Sequence, residues 1–260
     1  MERVRDRMIG NIFKGIKAYA GTLKLISKLG LWKFFGIPML ISFLVASSII
    51  ISAYTFSDNF AFYISKLWVW EWGNETFYLI SEILSGILIL VLGFILYKHI
   101  VMALSAPFMS PVSEKIEAHL LGVERHQHRD TSFSEQLWRG IRINVRNLLM
   151  ELLLTIPIIL IGFIPIIGIF STVALFFVQA YYAGFGNMDY TLERHFKYDE
   201  SIKFVKQHRG LAIGNGIVFM LFLLIPFIGI IFVLPLSVTA ASTETVALLK
   251  EQNRLKSNDL

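Results

Sequence analysis

Two long apolar stretches carrying the same interruption dominate this sequence. Residues 148–185 are interrupted at 164–168 and residues 211–249 at 225–229, and both interruptions read Ile-Pro-x-Ile-Gly. Proline removes a helical hydrogen bond and glycine lets the chain reverse, so each interruption predicts the tip of a hairpin. Each stretch is therefore predicted to be two apolar helices packed against each other.

The length of these hairpins is compatible with two depths in a membrane. One arm, residues 148–164, has 17 residues and spans about 25 Å, at or below the roughly 30 Å of a bilayer core. The hairpins either cross the bilayer, or they are re-entrant and return to the side from which they came. A re-entrant tip must be surrounded by protein or water, because lipid cannot bond its polar backbone groups.

The composition predicts an integral membrane protein. Hydrophobic residues make up 55% of the chain and charged residues 17%, with a mean hydropathy of +0.62, whereas a soluble domain of this length carries more charge. The chain has no cysteine, which excludes disulfides, thiolate metal sites and cysteine nucleophiles. The basic, amphipathic start is not a secretory signal, so the first apolar run should remain in the mature protein. We predict one membrane domain over residues 1–260.

Two further apolar runs, 34–56 and 77–106, are long enough to be transmembrane helices. Eight Lys or Arg side chains precede the first run, whereas the segment 57–76 has only Lys66. The positive-inside rule therefore places the N-terminus in the cytoplasm, and basic residues after the later runs return the C-terminus there. The predicted fold is an all-α, multi-pass membrane protein with two transmembrane helices and two broken hairpins.

Amphipathic segments and an aromatic loop surround these runs. Residues 8–29 predict a basic amphipathic helix that either lies on an anionic membrane surface or packs on the protein's own cytoplasmic helices. Residues 111–122 and 134–147 predict two more amphipathic helices, the first ended by Gly122. The tryptophans of the loop between the first two spans suit the outer membrane interface; they are Trp68, Trp70 and Trp72.

Several motifs follow one another in a characteristic order. They are Ser-Ala-Pro-Phe at 105–108, a helix at 113–122, the paired hairpins, and Asp-Tyr-Thr-Leu-Glu-Arg-His at 189–195. Over about residues 10–249 the chain resembles the CysZ-type sulfate permease family, which shares a domain with the eukaryotic etoposide-induced membrane proteins. The resemblance implies two long transmembrane helices, hairpins that partly enter the membrane, and homo-oligomers. It also implies sulfate uptake across a bacterial inner membrane for cysteine biosynthesis.

The resemblance further implies an anion site at the turn before the first span. The family has Gly-Leu/Ile-Arg-Arg there, and this chain has Gly30, Leu31, Trp32 and Lys33. Paired guanidinium groups hold a tetrahedral dianion in forked hydrogen bonds, whereas an ammonium is a point charge and an indole gives one donor. We expect weaker sulfate binding at this turn. Taken without the resemblance, Trp beside Lys at the start of a span is a membrane-interface anchor.

Five ionisable residues lie near the ends of the apolar runs, where a long side chain can reach water by snorkelling. They are Glu82, Lys98, His99, Glu151 and Glu244. Deeper in the bilayer such a group costs at least about 2.5 kcal/mol and indicates a functional role. Glu151 and Glu244, one in each hairpin, are the candidates to line a path or to couple protons.

Other patterns predict no chemistry of their own. Glu124, His126 and His128 lack further ligands nearby, so we interpret them as a solvated loop and predict neither a metal site nor a cofactor. Residues 189–195 are interpreted as a cytoplasmic turn and helix cap held by local ion pairs. The sequence has none of the common nucleotide-hydrolase, serine-hydrolase or zinc-protease motifs, so we expect no enzyme.

We therefore expect an inner-membrane anion transporter or channel, with sulfate as the first candidate substrate. The alternative is a non-transporting membrane scaffold or lipid-interacting protein, which the missing arginines favour. The expected partners are an inorganic anion, membrane lipids and further copies of the chain. The net charge of +5 is explained by cytoplasmic flanks, so no nucleic-acid partner is expected.

Overall fold

A computed structural model describes residues 2–66, 73–122, 132–162, 164, 167–225 and 228–252. Throughout these residues the chain is helical and contains no strand. A short 3-10 helix, Leu31–Phe34, accompanies nine α-helices. They are α1 (Glu2–Lys17), α2 (Thr22–Lys28), α3 (Gly36–Ser65), α4 (Asn74–Leu121), α5 (Phe133–Gly162), α6 (Ile167–Leu192), α7 (Tyr198–Gln207), α8 (Arg209–Leu223) and α9 (Ile228–Glu251).

Within the described residues, five helices are long and apolar enough to cross a membrane. They are α3, the part of α4 from Leu92, α5, α6 from Gly168 and α9 from Ile231. Only 17% of the apolar window of α3 is buried, against 67% in α4. α3 therefore faces lipid, while α4 lies at the centre of the bundle. The chain is an all-α integral membrane protein, as its composition predicts.

α4 joins two segments that the sequence predicts as separate helices. The predicted span 77–106 and the predicted helix 111–122 form one helix of 48 residues, which continues through Pro107 and Pro111. Its length is about 70 Å, more than twice the thickness of a bilayer core. It ends at Gly122, whose φ of 71° is the left-handed cap expected there. Similarly, the predicted helix 134–147 is the first half of α5.

The predicted helix 8–29 consists of two helices, because the chain turns between α1 and α2 at Gly21 with a φ of 92°. α1 packs on α8 through small residues. A methyl group on Gly15 would lie 2.6 Å from the carbonyl oxygen of Leu211, and one on Gly214 would overlap the carbonyl oxygen of Ile12. The amphipathic start thus packs on the protein's own helices.

The two broken stretches form the helix pairs α5–α6 and α8–α9, and α6 and α8 join them in close antiparallel contact. A methyl group on Gly184 would overlap the carbonyl oxygen of Ala212, and one on Gly216 that of Ala180. Such small-residue faces let membrane helices approach closely. Pro165, Pro226 and the three loop tryptophans lie outside the described residues.

Candidate functional site

The buried face of α5 is polar and its lipid-facing side is apolar, the reverse of a helix in a soluble protein. Leu149, Leu153 and Leu160 are each about 60% exposed. The buried side chains recur every three or four residues and therefore form one stripe. This polar stripe consists of Asn144, Asn147, Glu151 and Thr155, with Gly140 at its start.

An ion cluster of Lys98, His99 and Glu151 lies where this stripe meets α4. Lys98 Nζ is 2.7 Å from Glu151 Oε1, and His99 Nε2 is 3.0 Å from Glu151 Oε2. Lys98 Nζ also donates to the carbonyl oxygen of Gln179 on α6, at 3.3 Å. The three side chains are at most 3% exposed. Both carboxylate oxygens therefore have a basic partner, which a charge at this depth requires.

The expectation that these residues reach water by snorkelling is wrong for Lys98, His99 and Glu151. Each is close to the end of an apolar run in sequence, but α4, α5 and α6 surround it in the fold. Burial of a Lys becomes tolerable because a carboxylate of another helix compensates its charge.

Unpartnered polar atoms adjoin the ion cluster. His99 Nδ1, Asn144 Oδ1 and Asn147 Nδ2 are buried and have no hydrogen-bond partner among the described residues. Buried polar atoms normally have a partner, either from the protein or from ordered water. These three atoms are therefore the groups to which a water or a small polar ion between α4 and α5 would bind.

The motif at 189–195 forms a second buried polar network. Arg194 Nη2 lies 2.9 Å from Glu117 Oε2, and His195 Nε2 lies 2.7 Å from Glu117 Oε1. Arg194 also donates to Ser113 Oγ and to the carbonyl oxygen of Ser110. The interpretation of local ion pairs is wrong, because Glu117 is 77 residues away on α4. The motif joins helices that are distant in sequence.

The same motif also ties α5 and α4 to α6. Arg139 on α5 makes a forked pair with Asp189, with nitrogen to oxygen distances of 3.1 and 3.0 Å. Tyr190 donates its hydroxyl to the carbonyl oxygen of Met102 at 2.6 Å. Forked charge-assisted pairs constrain orientation as well as distance. The motif therefore holds α4, α5 and α6 in register beside the ion cluster.

Glu193 is an acid in this network, and its surroundings shift its pKa. It accepts a hydrogen bond from the hydroxyl of Ser110 and is 4% exposed. Burial raises the pKa of Glu193 to about 7, and the Asp189 charge adds to the rise, whereas the Ser110 bond and Arg194 oppose it. Glu193 therefore titrates near neutral pH.

The predicted anion turn, Gly30 to Lys33, is a 3-10 turn that begins at a left-handed Gly30, with φ 61°. Leu31 is fully buried, while Trp32 is 44% exposed and donates its indole N–H to Ser27 Oγ at 3.1 Å. The Lys33 ammonium is exposed and lies 5.4 Å from the ring centre of Phe34. The turn thus presents the Lys33 ammonium, while the single indole donor of Trp32 is taken up by Ser27.

α4 brings further basic groups to this turn. Lys115 Nζ lies 5.3 Å from the same Phe34 ring centre, and Lys28 Nζ lies 3.5 Å from His119 Nε2. We call these four residues the basic turn cluster: Lys28, Lys33, Lys115 and His119. Sequence reasoning missed Lys115 and His119, since no spacing links them to the turn more than 80 residues earlier.

Glu151 and Glu244 do not share a site. Glu244 is partly exposed on α9, and its charged neighbours are Lys14 and Glu251, whereas those of Glu151 are Lys98 and His99. Glu82 is also partly exposed. The loop that contains Glu124, His126 and His128 lies outside the described residues, and within them no three acidic or histidine side chains form a group able to hold a metal.

Comparison with protein-family models identifies a family. A family model described as sulfate transporter CysZ/etoposide-induced protein 2.4 matches residues 18–233, which is most of the chain. The matched region contains the ion cluster, the motif at 189–195 and the basic turn cluster. A search of curated proteins returned no match.

Proposed function

Because the chain belongs to the sulfate transporter CysZ/etoposide-induced protein 2.4 family, we propose that it carries an inorganic anion, with sulfate as the preferred substrate, across a bacterial inner membrane. The imported sulfate would supply cysteine biosynthesis. No nucleotide-hydrolysing motif accompanies the membrane helices, so the protein works as a channel or an ion-coupled carrier rather than as an enzyme.

The ion cluster is the observation that favours transport over a scaffold. Burying Lys98, His99 and Glu151 among apolar helices costs at least about 2.5 kcal/mol for each ionisable group, and groups buried at this cost are characteristic of ion pathways. A transporter requires such groups, because a permeating anion needs a compensating charge at membrane depth. The unpartnered atoms of the polar stripe next to the cluster support a hydrated path.

The basic turn cluster is the proposed entrance. The ammonium groups of Lys33 and Lys115 flank Phe34, and they supply two positive charges where the family has two arginines. Ammonium groups lack the forked geometry of guanidinium groups, so an oxyanion is attracted here but held less tightly. The positive end of the α3 dipole adds to this attraction.

Lys98 is the proposed partner for the anion inside the membrane. Glu151 holds the Lys98 ammonium when no anion is present, and protonation of Glu151 would release this ammonium to an oxyanion. Glu151 in this way lines the path and couples it to protons. Glu244 has the same proposed role in the second hairpin, where Lys14 is its cationic neighbour.

We also propose that both termini face the cytoplasm and that the protein forms homo-oligomers. The electrostatic contact of Lys14 with Glu244 supports placing α1 and the end of α9 on the same side. The positive-inside rule assigns that side to the cytoplasm.

Uptake of radiolabelled sulfate into liposomes containing the purified protein tests the proposal. We expect uptake above that of empty liposomes, a severalfold loss in Lys33→Ala and Lys115→Ala, and near-complete loss in the double variant Lys98→Met with Glu151→Leu, which removes the charge from the path without leaving a buried ammonium unpaired. Lys24→Ala is the matched control, because Lys24 is exposed on α2 and lies outside the basic turn cluster. If wild-type liposomes admit no more sulfate than empty ones, the scaffold or lipid-interacting function, favoured by the missing arginines, is the better account.

A further inference from the structure

An apolar groove with a basic end opens on the lipid-facing side of the bundle. We call it the lateral groove; its volume is about 480 Å³, within the roughly 300–1,000 Å³ of ligand sites. Leu154 and Phe177 are 45% and 40% exposed, so the groove is open to the bilayer. Its lining residues come from α5 to α8: Leu154, Phe177, Val178, Tyr181, Tyr182, Lys206, Arg209 and Ile213.

The groove is polarised along the membrane normal. α6 and α8 run antiparallel, with Ala180 against Gly216 and Gly184 against Ala212. This register places Phe177 toward the hairpin tips and Arg209, the first residue of α8, at the opposite end. Lys206 near the end of α7 lies beside Arg209 in the lining. One end is therefore apolar at membrane depth, and the other is cationic where α8 begins.

The cationic end carries more positive charge than its lining alone shows. Arg146 lies 5.3 Å from the ring centre of Phe185 and acts electrostatically on Tyr181 and Tyr182. In the part of the chain that the structure describes, neither Arg146, Lys206 nor Arg209 has a carboxylate within ion-pair distance. The groove lining contains no acidic residue. Lys206 and Arg209 are available to an anion that arrives from outside the chain, whereas Arg146 also donates to Asn147 Oδ1 at 2.8 Å.

We propose that the lateral groove binds one anionic phospholipid. Its phosphate lies between Lys206 and Arg209, and one acyl chain follows the wall formed by Leu154, Phe177 and Ile213. A free inorganic anion would gain nothing from the apolar wall, and a zwitterionic lipid would bring no net charge to the cationic end. Basic side chains at headgroup depth attract anionic lipids in this way, and tyrosines suit the same depth.

This lipid site uses different cations from the proposed transport path, although Tyr182 of its lining lies close enough to Glu151 to interact with it electrostatically. Its cations are not members of the basic turn cluster or of the ion cluster, and the groove faces lipid rather than the space between α4 and α5. Lipid binding can therefore be measured without any transport assay, and its failure would leave the proposed function untouched.

Native mass spectrometry of the purified full chain in detergent tests the site. The protein is titrated with phosphatidylglycerol, phosphatidylcholine or inorganic phosphate, and the bound fraction is compared between variants. Lys206→Ala with Arg209→Ala removes the cations, and Leu154→Trp fills the apolar wall but keeps the charge. Lys203→Ala is the matched control, because Lys203 is exposed on α7 but does not line the groove.

We expect phosphatidylglycerol to bind more tightly than phosphatidylcholine to the wild type. Each basic side chain is worth about fivefold in affinity, so the double variant should lose about 30-fold for phosphatidylglycerol. It should keep its weaker binding of phosphatidylcholine, and Leu154→Trp should weaken both lipids. If the double variant fails to fold, the two single variants provide the same comparison, at about fivefold each.

Two results would overturn the lipid site. One is phosphatidylglycerol binding that is unchanged in the double variant or falls equally in Lys203→Ala, since that would indicate unspecific surface charge. The other is inorganic phosphate that binds as tightly as phosphatidylglycerol and is unaffected by Leu154→Trp, since that would indicate a site for a free anion.

Discussion

The ammonium of Lys98 lies 2.7 Å from the carboxylate of Glu151, and both side chains are almost completely buried. Neither charge alone is tolerable between apolar helices, but each compensates the other. The pair joins α4 to α5, and the second bond from Lys98 to the carbonyl oxygen of Gln179 extends the link to α6. The same contact therefore holds the bundle together and provides charge at membrane depth.

Glu151→Gln should destabilise the protein strongly. The substitution leaves the buried Lys98 ammonium without a carboxylate, which typically costs about 3–5 kcal/mol. Replacing both residues with apolar ones, in Lys98→Met with Glu151→Leu, should restore part of this loss, because no ammonium then stays unpaired, although His99 Nε2 loses its bond to Glu151. Thermal unfolding in detergent measures the effect, with Glu82→Gln as the control on a partly exposed glutamate. A Glu151→Gln protein as stable as wild type would contradict the buried pair.

The helical hairpins were predictable because their signal is local. The apolar runs and the Pro-Gly interruptions lie within the same residues that form the helices and their turns. Gly122 likewise ends α4, as its position predicts. The continuity of α4 was not predictable in this way. Pro107 and Pro111 suggest a break, but the helix continues through both, where Ala106, Met109 and Val112 are buried against the rest of the bundle.

The ion cluster could be predicted only in part. Glu151 was recognisable as an acid within a hairpin, and Lys98 and His99 as bases near the end of a span. Their pairing depends on the way α4 lies against α5, and no spacing within either helix encodes it. The same holds for Arg194 and Glu117, whose pairing was interpreted as a local one.

Gly216→Ala should separate α6 from α8. The added methyl group would overlap the carbonyl oxygen of Ala180, and a backbone atom can yield only if the helices move apart. We expect a loss of about 3 kcal/mol, at the upper end of the usual cost of overpacking. Gly86→Ala is the control, because nothing lies within 4 Å of a methyl group there. The free energy of unfolding, measured by chemical denaturation, should be the same or higher in this control than in the wild type. Equal losses of stability in both variants would contradict the close contact between α6 and α8.

Glu193→Gln should remove a pH dependence of stability. Burial raises the pKa of Glu193 to about 7 from an ordinary value of 4.5, so folding takes up a proton between these pH values. Wild-type stability should therefore fall as pH rises from about 4.5 to 7, by up to about 3 kcal/mol from this group. Gln cannot ionise but can still accept the Ser110 hydrogen bond.

The measurement for Glu193 is the difference in unfolding free energy between wild type and Glu193→Gln at several pH values. The stability of Glu193→Gln relative to wild type should increase as pH rises from about 4.5 to 7 and should stay constant above about pH 7. Glu114→Gln, on an exposed residue of α4, should show no such trend. A difference that is independent of pH would mean that folding does not raise the pKa of Glu193.

Trp32→Arg should strengthen sulfate binding at the turn before α3. Trp32 is 44% exposed and precedes Lys33, so an arginine there would add forked donors beside the Lys33 and Lys115 ammonium groups. A charge-assisted hydrogen bond is worth about 1.5 kcal/mol or more, which corresponds to at least about tenfold in affinity. Calorimetric titration with sulfate measures this gain.

Trp138→Arg adds the same charge at a residue that is 67% exposed on α5 and should leave the affinity unchanged. Equal gains in both variants would indicate a response to net charge, and no gain in Trp32→Arg would show that the turn is an interface anchor.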